Sequence, residues 1–171
     1  AASTLAYTLE SVRRQTWDDV EHIIIDGVSS DETTDMIARY QQEEQRHKVT
    51  VICEPDRGLY DAMNKARMLA TGHYVLYLNA GDFFPSNDTL ETIVKNTGLN
   101  ELLLNNKPLP AVIYGDTDLT DNDGVVIGHR RLSPPEHLDW RSFRHGMLVC
   151  HQAFYARTDI VRRVDYNMHY R

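Results

Sequence analysis

At 171 residues the chain falls in the usual size range of one domain, and a domain of this length buries roughly 70% of its unfolded surface without disulfides. Its 42% apolar and 25% charged residues exclude collagen-like, disordered and disulfide-scaffold classes. The formal charge of -7 disfavours a general nucleic-acid binder, because affinity for the phosphate backbone comes from clustered Lys and Arg.

Ser3 or Thr4 can cap a first helix whose apolar positions Leu5, Leu9 and Val12 recur at helical spacing, ending near Gln15-Thr16. The β-branched run His22-Ile23-Ile24-Ile25 reads as a strand buried on both faces and closed by Asp26-Gly27. A helix capped by Ser30 or Asp31 should run to about Gln45, and Val49 to Cys53 forms a second strand ending at Glu54-Pro55-Asp56. A helix from about Tyr60 to Ala70 is stopped by Gly72, and Tyr74 to Leu78 gives a third strand ending at Asn79-Ala80-Gly81-Asp82. Beyond Asp82 the pattern loosens into a short helix at Leu90 to Val94, a loop at Asn105 to Pro110, and a strand at Val112 to Asp116. A hairpin turn follows at Asp121-Asn122-Asp123-Gly124, and a last strand or buried segment at Met147 to Tyr155.

Strands alternating with helices predict an α/β fold with a mainly parallel, Rossmann-like sheet, helices on both faces, and mixed pairing toward the C-terminus. All three early strands end in turns that carry acids, and in open α/β sheets those carboxyl ends face the ligand crevice. An isolated strand-end Asp is commonly a turn former or cap, but three in register point to a site. Cys53 and Cys150, far apart in sequence and in apolar surroundings, read as buried free thiols. The basic groups near His129-Arg130-Arg131 and Arg157 to Arg163 could hold an anion, although a solvated face is the commoner role.

Asp82 ranks first for metal contact, because it follows a strand in a Gly-containing turn where backbone could approach phosphate; its bland alternative is a capping Asp. Mg2+ or Mn2+ commonly takes one or two protein carboxylates while phosphates complete its shell. Asp26 could accept hydrogen bonds from a base or ribose. Glu54-Pro55-Asp56-Arg57-Gly58, just before a helix N-terminus, suits a polar nucleotide group.

Several ordered blocks resemble the family 2 glycosyltransferases of the GT-A fold. They are Ser11-Val12-Arg13-Arg14-Gln15-Thr16, Glu21 through Thr33, Glu54-Pro55-Asp56-Arg57-Gly58-Leu59-Tyr60-Asp61-Ala62-Met63-Asn64-Lys65 and Leu78-Asn79-Ala80-Gly81-Asp82, continued by Tyr114-Gly115-Asp116 and His151-Gln152. The resemblance implies one GT-A-like domain over 1–171, with 1–110 as a nucleotide-sugar-binding half and 111–171 as a partial acceptor-side half. It implies metal-dependent, inverting transfer of a sugar from a nucleotide-diphosphate donor to a hydroxyl of a glycan, lipid-linked or other acceptor, as in polysaccharide biosynthesis. No nucleic acid is expected, and the expected location is the cytoplasm, with peripheral association at the inner face of a membrane.

By the same resemblance Asp26 and Asp56 fall at nucleotide-binding positions and Asp82 at the metal position. Glu54, Arg57, Asn64, Lys65 and Asn79 join them as donor-binding candidates, as does Tyr60, whose ring could stack on a base or sugar although core is the commoner role. His151 and Gln152 are candidates for acceptor or phosphate contact, with a half-buried His satisfied by backbone as the alternative for His151. The cofactor implied is Mn2+ or Mg2+. Asn79 and Gly81 stand where other members carry acids, which implies a single-carboxylate metal site. The family's opening strand and its Asp or Glu general base match no residue here, so truncation at both ends is expected, with the base beyond Arg171 and Asp165 as a stand-in. A non-catalytic nucleotide- or carbohydrate-binding module is the alternative reading. A nucleotidyltransferase would need an early basic Gly-rich loop, which is not visible.

Overall fold

The computed structural model describes residues 2–169. Helix α1 (Ala2–Arg13) buries Leu5, Thr8, Leu9 and Val12 along one stripe, the spacing that defines an amphipathic face. Strand β1 (Glu21–Asp26) pairs in parallel with β2 (Lys48–Cys53), in a register that runs from Glu21 opposite Lys48 to Asp26 opposite Cys53. Helix α2 (Thr33–Glu43) connects them, as parallel pairing requires a crossover. Leu5 and Leu9 of α1, Ile24 of β1, and Ile37 and Tyr40 of α2 form the core cluster.

Helix α3 (Leu59–Leu69) leads to a very short β3 (Tyr74–Val75). The apolar run to Leu78 was expected to be strand throughout, but pairing stops at Val75. β3 joins an antiparallel sheet of order β3-β7-β4, made with β4 (Val112–Tyr114) and β7 (Phe154–Arg157). Residues 76–80 continue without a partner strand among the described residues, and so does the edge of β1 that faces away from β2. A cleft of about 300 Å3 opens there, lined by β1, by Leu78 and Ala80, and by α1 and α2. This open edge is why β1 is only partly buried, with Ile24 and Asp26 its only fully buried residues, rather than covered on both faces.

The antiparallel pairing expected of the C-terminal part extends back to β3, so one sheet crosses the 110/111 boundary. Helices α4 (Thr89–Thr97) and α5 (Leu99–Leu104) replace the single short helix expected, with Gly98 at φ 64° making the joint. The hairpin falls at its turn signal, between β5 (Asp118–Thr120) and β6 (Val126–His129). Short 3-10 turns at Trp140–His145 and His151–Ala153 precede β7, and α6 (Thr158–Val161) follows it. Among the described residues no helix is long and apolar enough to cross a membrane.

Candidate functional site

The parallel register carries Asp26 and the Glu54 turn to the same end of the sheet, where Glu54 N donates to Asp26 O at 3.0 Å. Asp56 lies over the same end: a Cβ on Gly27 would fall 2.7 Å from Asp56 Oδ2, so a larger residue there would displace that carboxylate. Leu78 and Ala80 face Asp26, Gly27 and Ser29 across the cleft. Ala80 of the third turn thus lines the same cleft as Asp26, and Asp56 stands beside Gly27.

Asp26 is buried and occupied by its own chain. Ser29 Oγ donates to Oδ1 at 2.6 Å, Ser29 N lies 3.3 and 3.2 Å from the two oxygens, and Cys53 Sγ and Thr34 Oγ1 reach Oδ2 at 3.2 and 3.5 Å. Burial alone would raise this carboxyl, but the donors from Ser29, Cys53 and Thr34 together hold it below its ordinary value. Its first role is thus to brace the Gly27–Ser29 loop, where Val28 sits at φ 67°. Cys53, expected to be buried, is exposed as the last residue of β2; its thiol is pushed up chiefly by donating to Asp26, with desolvation and the Asp26 charge adding to the rise.

The cations of the second turn are also engaged. Arg57 pairs with Asp61 at 3.0 Å, and Lys65 pairs with Glu54 at 2.9 Å while donating to Pro55 O at 3.0 Å. Asp56 Oδ1 accepts from Gly58 N at 2.9 Å, a turn closure that leaves Oδ2 toward Gly27. Asn64 is spent on the C-terminal segment: Nδ2 donates to Tyr166 O at 3.0 Å and Oδ1 accepts from Tyr166 N at 2.8 Å. Tyr60 stacks on Tyr166 with centroids 5.6 Å apart, and Tyr77 meets the same ring edge-on at 5.8 Å. Asp165 forms an ion pair with the buried Arg67 guanidinium, which fixes its place and weakens the case for it as a stand-in base.

The third turn is held from two sides. Asn79 N donates to Asp82 Oδ2 at 3.1 Å and Asp82 N to Asn79 O at 2.9 Å, which closes the turn on itself. Gly81 at φ 109° donates its N–H to Thr8 Oγ1 at 2.9 Å, and Thr8 in turn donates to Asn79 O at 3.3 Å. On the other side Asn79 Nδ2 lies 2.9 Å from His151 Nε2. Gln152, next in that 3-10 turn, has a buried Oε1 with no hydrogen-bond partner among the described residues.

Thr8 was not among the residues singled out from sequence, although a polar residue on the Leu5-Leu9-Val12 stripe was the available signal. Gln15 also exceeds its motif role. It is fully buried, donating to Ser11 O and Ser86 O and accepting from Leu90 N, so it anchors the segment after Asp82. The C-terminal basic groups prove structural: Arg157 pairs with Asp159, Arg162 donates to carbonyls of α3 and Ala70, and Arg130 to those of Met147 and Leu148.

No group of three or more His, Cys, Asp or Glu suited to a metal occurs among the described residues. Asp82, with one carboxylate oxygen closing the turn, fits a Mg2+ or Mn2+ whose shell is completed by phosphates and water rather than by a protein cage.

The model of glycosyl transferase family 2 matches residues 1–155. The chain belongs to glycosyl transferase family 2. PGL/p-HBAD biosynthesis glycosyltransferases of Mycobacterium tuberculosis and Mycobacterium bovis are 32% identical over 172 aligned residues, covering 99% of this chain and 60% of theirs. A putative glycosyltransferase of Bacillus subtilis, EpsH, is 31% identical over 130 residues, covering 75% of this chain and 36% of its own. The chain thus spans about 60% of the length of its mycobacterial relatives.

Among solved structures, Staphylococcus aureus TarS in complex with UDP superposes with a TM-score of 0.58 at 17% identity, covering 98% of this chain and 48% of TarS. The mannosyltransferase PcManGT of Pyrobaculum calidifontis, in complex with GDP-Man and Mn2+, gives 0.56 at 24% identity, covering 67% of this chain and 32% of that one. These likenesses establish the GT-A fold of this family member.

Proposed function

We propose that the chain is the donor-binding part of a metal-dependent glycosyltransferase that moves a sugar from a nucleoside diphosphate to an acceptor hydroxyl, with inversion, in glycan biosynthesis. The observation that carries this reading is that Asp56 stands against Gly27 at the end of the strand that carries Asp26, while Ala80 of the Asn79–Asp82 turn lines the same cleft as Asp26. The neighbours in complex with GDP-Man and with UDP support a nucleotide-sugar donor, and the Mn2+ beside GDP-Man supports a divalent cation.

In this reading residues 1–110 hold the donor, and 111–171 begin the acceptor side. A metal at Asp82 would offset diphosphate charge and stabilise the departing nucleotide. This chain's own residues do the positioning. Asp26 keeps the Gly27–Ser29 loop in shape, Asp56 and Glu54 form the turn opposite, and Tyr60 provides an aromatic face beside it. Arg57, Lys65 and Asn64 act chiefly through Asp61, Glu54 and Tyr166, shaping the pocket rather than touching phosphate. The catalytic base is assigned to none of the described residues. Location in the cytoplasm, with peripheral membrane association, belongs to the same proposal.

Calorimetric titration of UDP and GDP, with and without Mn2+, tests donor binding by this chain. Metal-enhanced binding that disappears in Asp82→Ala is the expected result. Failure of both nucleotides to bind at millimolar concentration refutes the reading.

A further inference from the structure

Asn79 stands where an acid would be a metal ligand, and its amide is committed elsewhere: Nδ2 lies 2.9 Å from His151 Nε2. An amide nitrogen donates and cannot accept, so in this arrangement Nε2 is the acceptor. A neutral imidazole carries one donor and one acceptor nitrogen, which places the ring proton on Nδ1. His151 is half-buried in its 3-10 turn, and its Nδ1 has no hydrogen-bond partner among the described residues. A donor thus stands unpaired beside the turn that carries Asp82.

We propose that Asn79 is a positioning residue that holds His151 as the Nδ1–H tautomer, and that His151 donates this proton in a hydrogen bond to a phosphate oxygen of the nucleoside diphosphate. The second half of this inference rests on the donor-binding function proposed above. It gives the Asn a role distinct from that of an acid. A carboxylate at position 79 only accepts, so it would put a proton on Nε2, by moving it from Nδ1 or by stabilising the doubly protonated ring, whereas the Asn amide holds a neutral ring with its proton on Nδ1. The Asn-x-Gly-Asp turn then trades a second metal ligand for a directed donor, while Thr8 keeps the turn's backbone in register with His151.

The test is a long-range proton–nitrogen correlation spectrum of the imidazoles in the uniformly 15N-labelled chain at neutral pH, with His151 assigned by its loss in His151→Gln. Wild type should show His151 protonated at Nδ1, Asn79→Asp should show it protonated at Nε2, and Asn79→Ala should show a mixture. Pyrophosphate, and then UDP or GDP with Mn2+, should shift the His151 Nδ1 signal in wild type. His151→Ala should bind the diphosphates about tenfold or more weakly, as expected for losing one hydrogen bond to a charged group. A wild-type ring protonated at Nε2 overturns the inference at its first step. The expected tautomer with diphosphate binding that leaves His151 unmoved overturns the phosphate contact. Expected tautomers with no nucleotide binding refute the donor-binding function instead, and reduce the Asn79–His151 pair to a structural clamp.

Discussion

Thr8 is a buried hydroxyl in the middle of an apolar helix stripe, and its two hydrogen bonds end on the backbone of the Asn79–Asp82 turn. Thr8→Val keeps the shape and removes the hydroxyl, leaving Gly81 N–H without its acceptor. A buried donor left unpaired costs about 1–3 kcal/mol, unless the turn moves to expose it to water. Thr8→Ser keeps the hydroxyl and loses one methyl, about 0.8 kcal/mol of burial. The two variants should therefore separate two readouts. In urea titrations Thr8→Val loses about 1–3 kcal/mol if the turn stays in place and less if it moves, against about 0.8 kcal/mol for Thr8→Ser. In calorimetric titrations with Mn2+ and UDP or GDP, Thr8→Val should bind about 30-fold more weakly if some 2 kcal/mol is lost in the turn, whereas Thr8→Ser should bind within about threefold of wild type. Equal loss of binding in both variants, or none in Thr8→Val, would refute the claim that α1 positions the turn.

Burial, reinforced by nearby His47 and opposed by Glu44, lowers His22 from 6.5 to about 4. The unfolded chain therefore takes up this proton first, and the stability it represents is intact above about pH 6.5 and lost as pH falls toward 4. Urea titrations at about pH 7.5 and about pH 5 should differ by up to about 2 kcal/mol more in wild type than in His22→Gln; water in the cleft that His22 borders makes this a ceiling. Asn64→Ala removes both bonds to the Tyr166 backbone, so hydrogen exchange over residues 164–169 should accelerate while exchange in β1 and β2 stays unchanged. Equal protection of 164–169 in the variant would show that Arg67 and the tyrosine stack suffice. Gln15→Leu strands Ser86 O and Leu90 N and should cost about 2–4 kcal/mol in a thermal or urea melt, with the largest exchange increase over 82–90.

The parts of the fold that follow from local pattern were legible in the residues. The stripe in α1, the parallel pair β1 and β2 with its crossover helix, and the Asp121–Gly124 hairpin each depend on period or turn chemistry alone. The third strand failed for a non-local reason: an apolar run becomes strand only where a partner edge meets it, and beyond Val75 none does among the described residues. Cys53 failed similarly, since alternation along β2 and the exposure of its end put the thiol toward Asp26 rather than into a core.

For the proposed site, residue types at the strand ends mark the turns but not the bonds that each side chain makes there. Asp26, Glu54, Arg57, Lys65 and Asn64 all lie around the expected turns; the Asp26–Ser29 and Arg57–Asp61 bonds are at turn and i,i+4 spacing, whereas Asn64's partner is 102 positions away and spacing conceals it. The same ties explain how a site poor in carboxylates can still be well ordered. In the proposed site Asp82 offers the carboxylate oxygen that its turn does not use, Thr8 of α1 and Gln15 just beyond that helix tie down the chain on either side of it, and Asn79 links to His151. Preorganisation of this kind matters more for a single-carboxylate metal site than for a cage. Fewer ligands mean that the position of each one sets a larger share of the binding geometry.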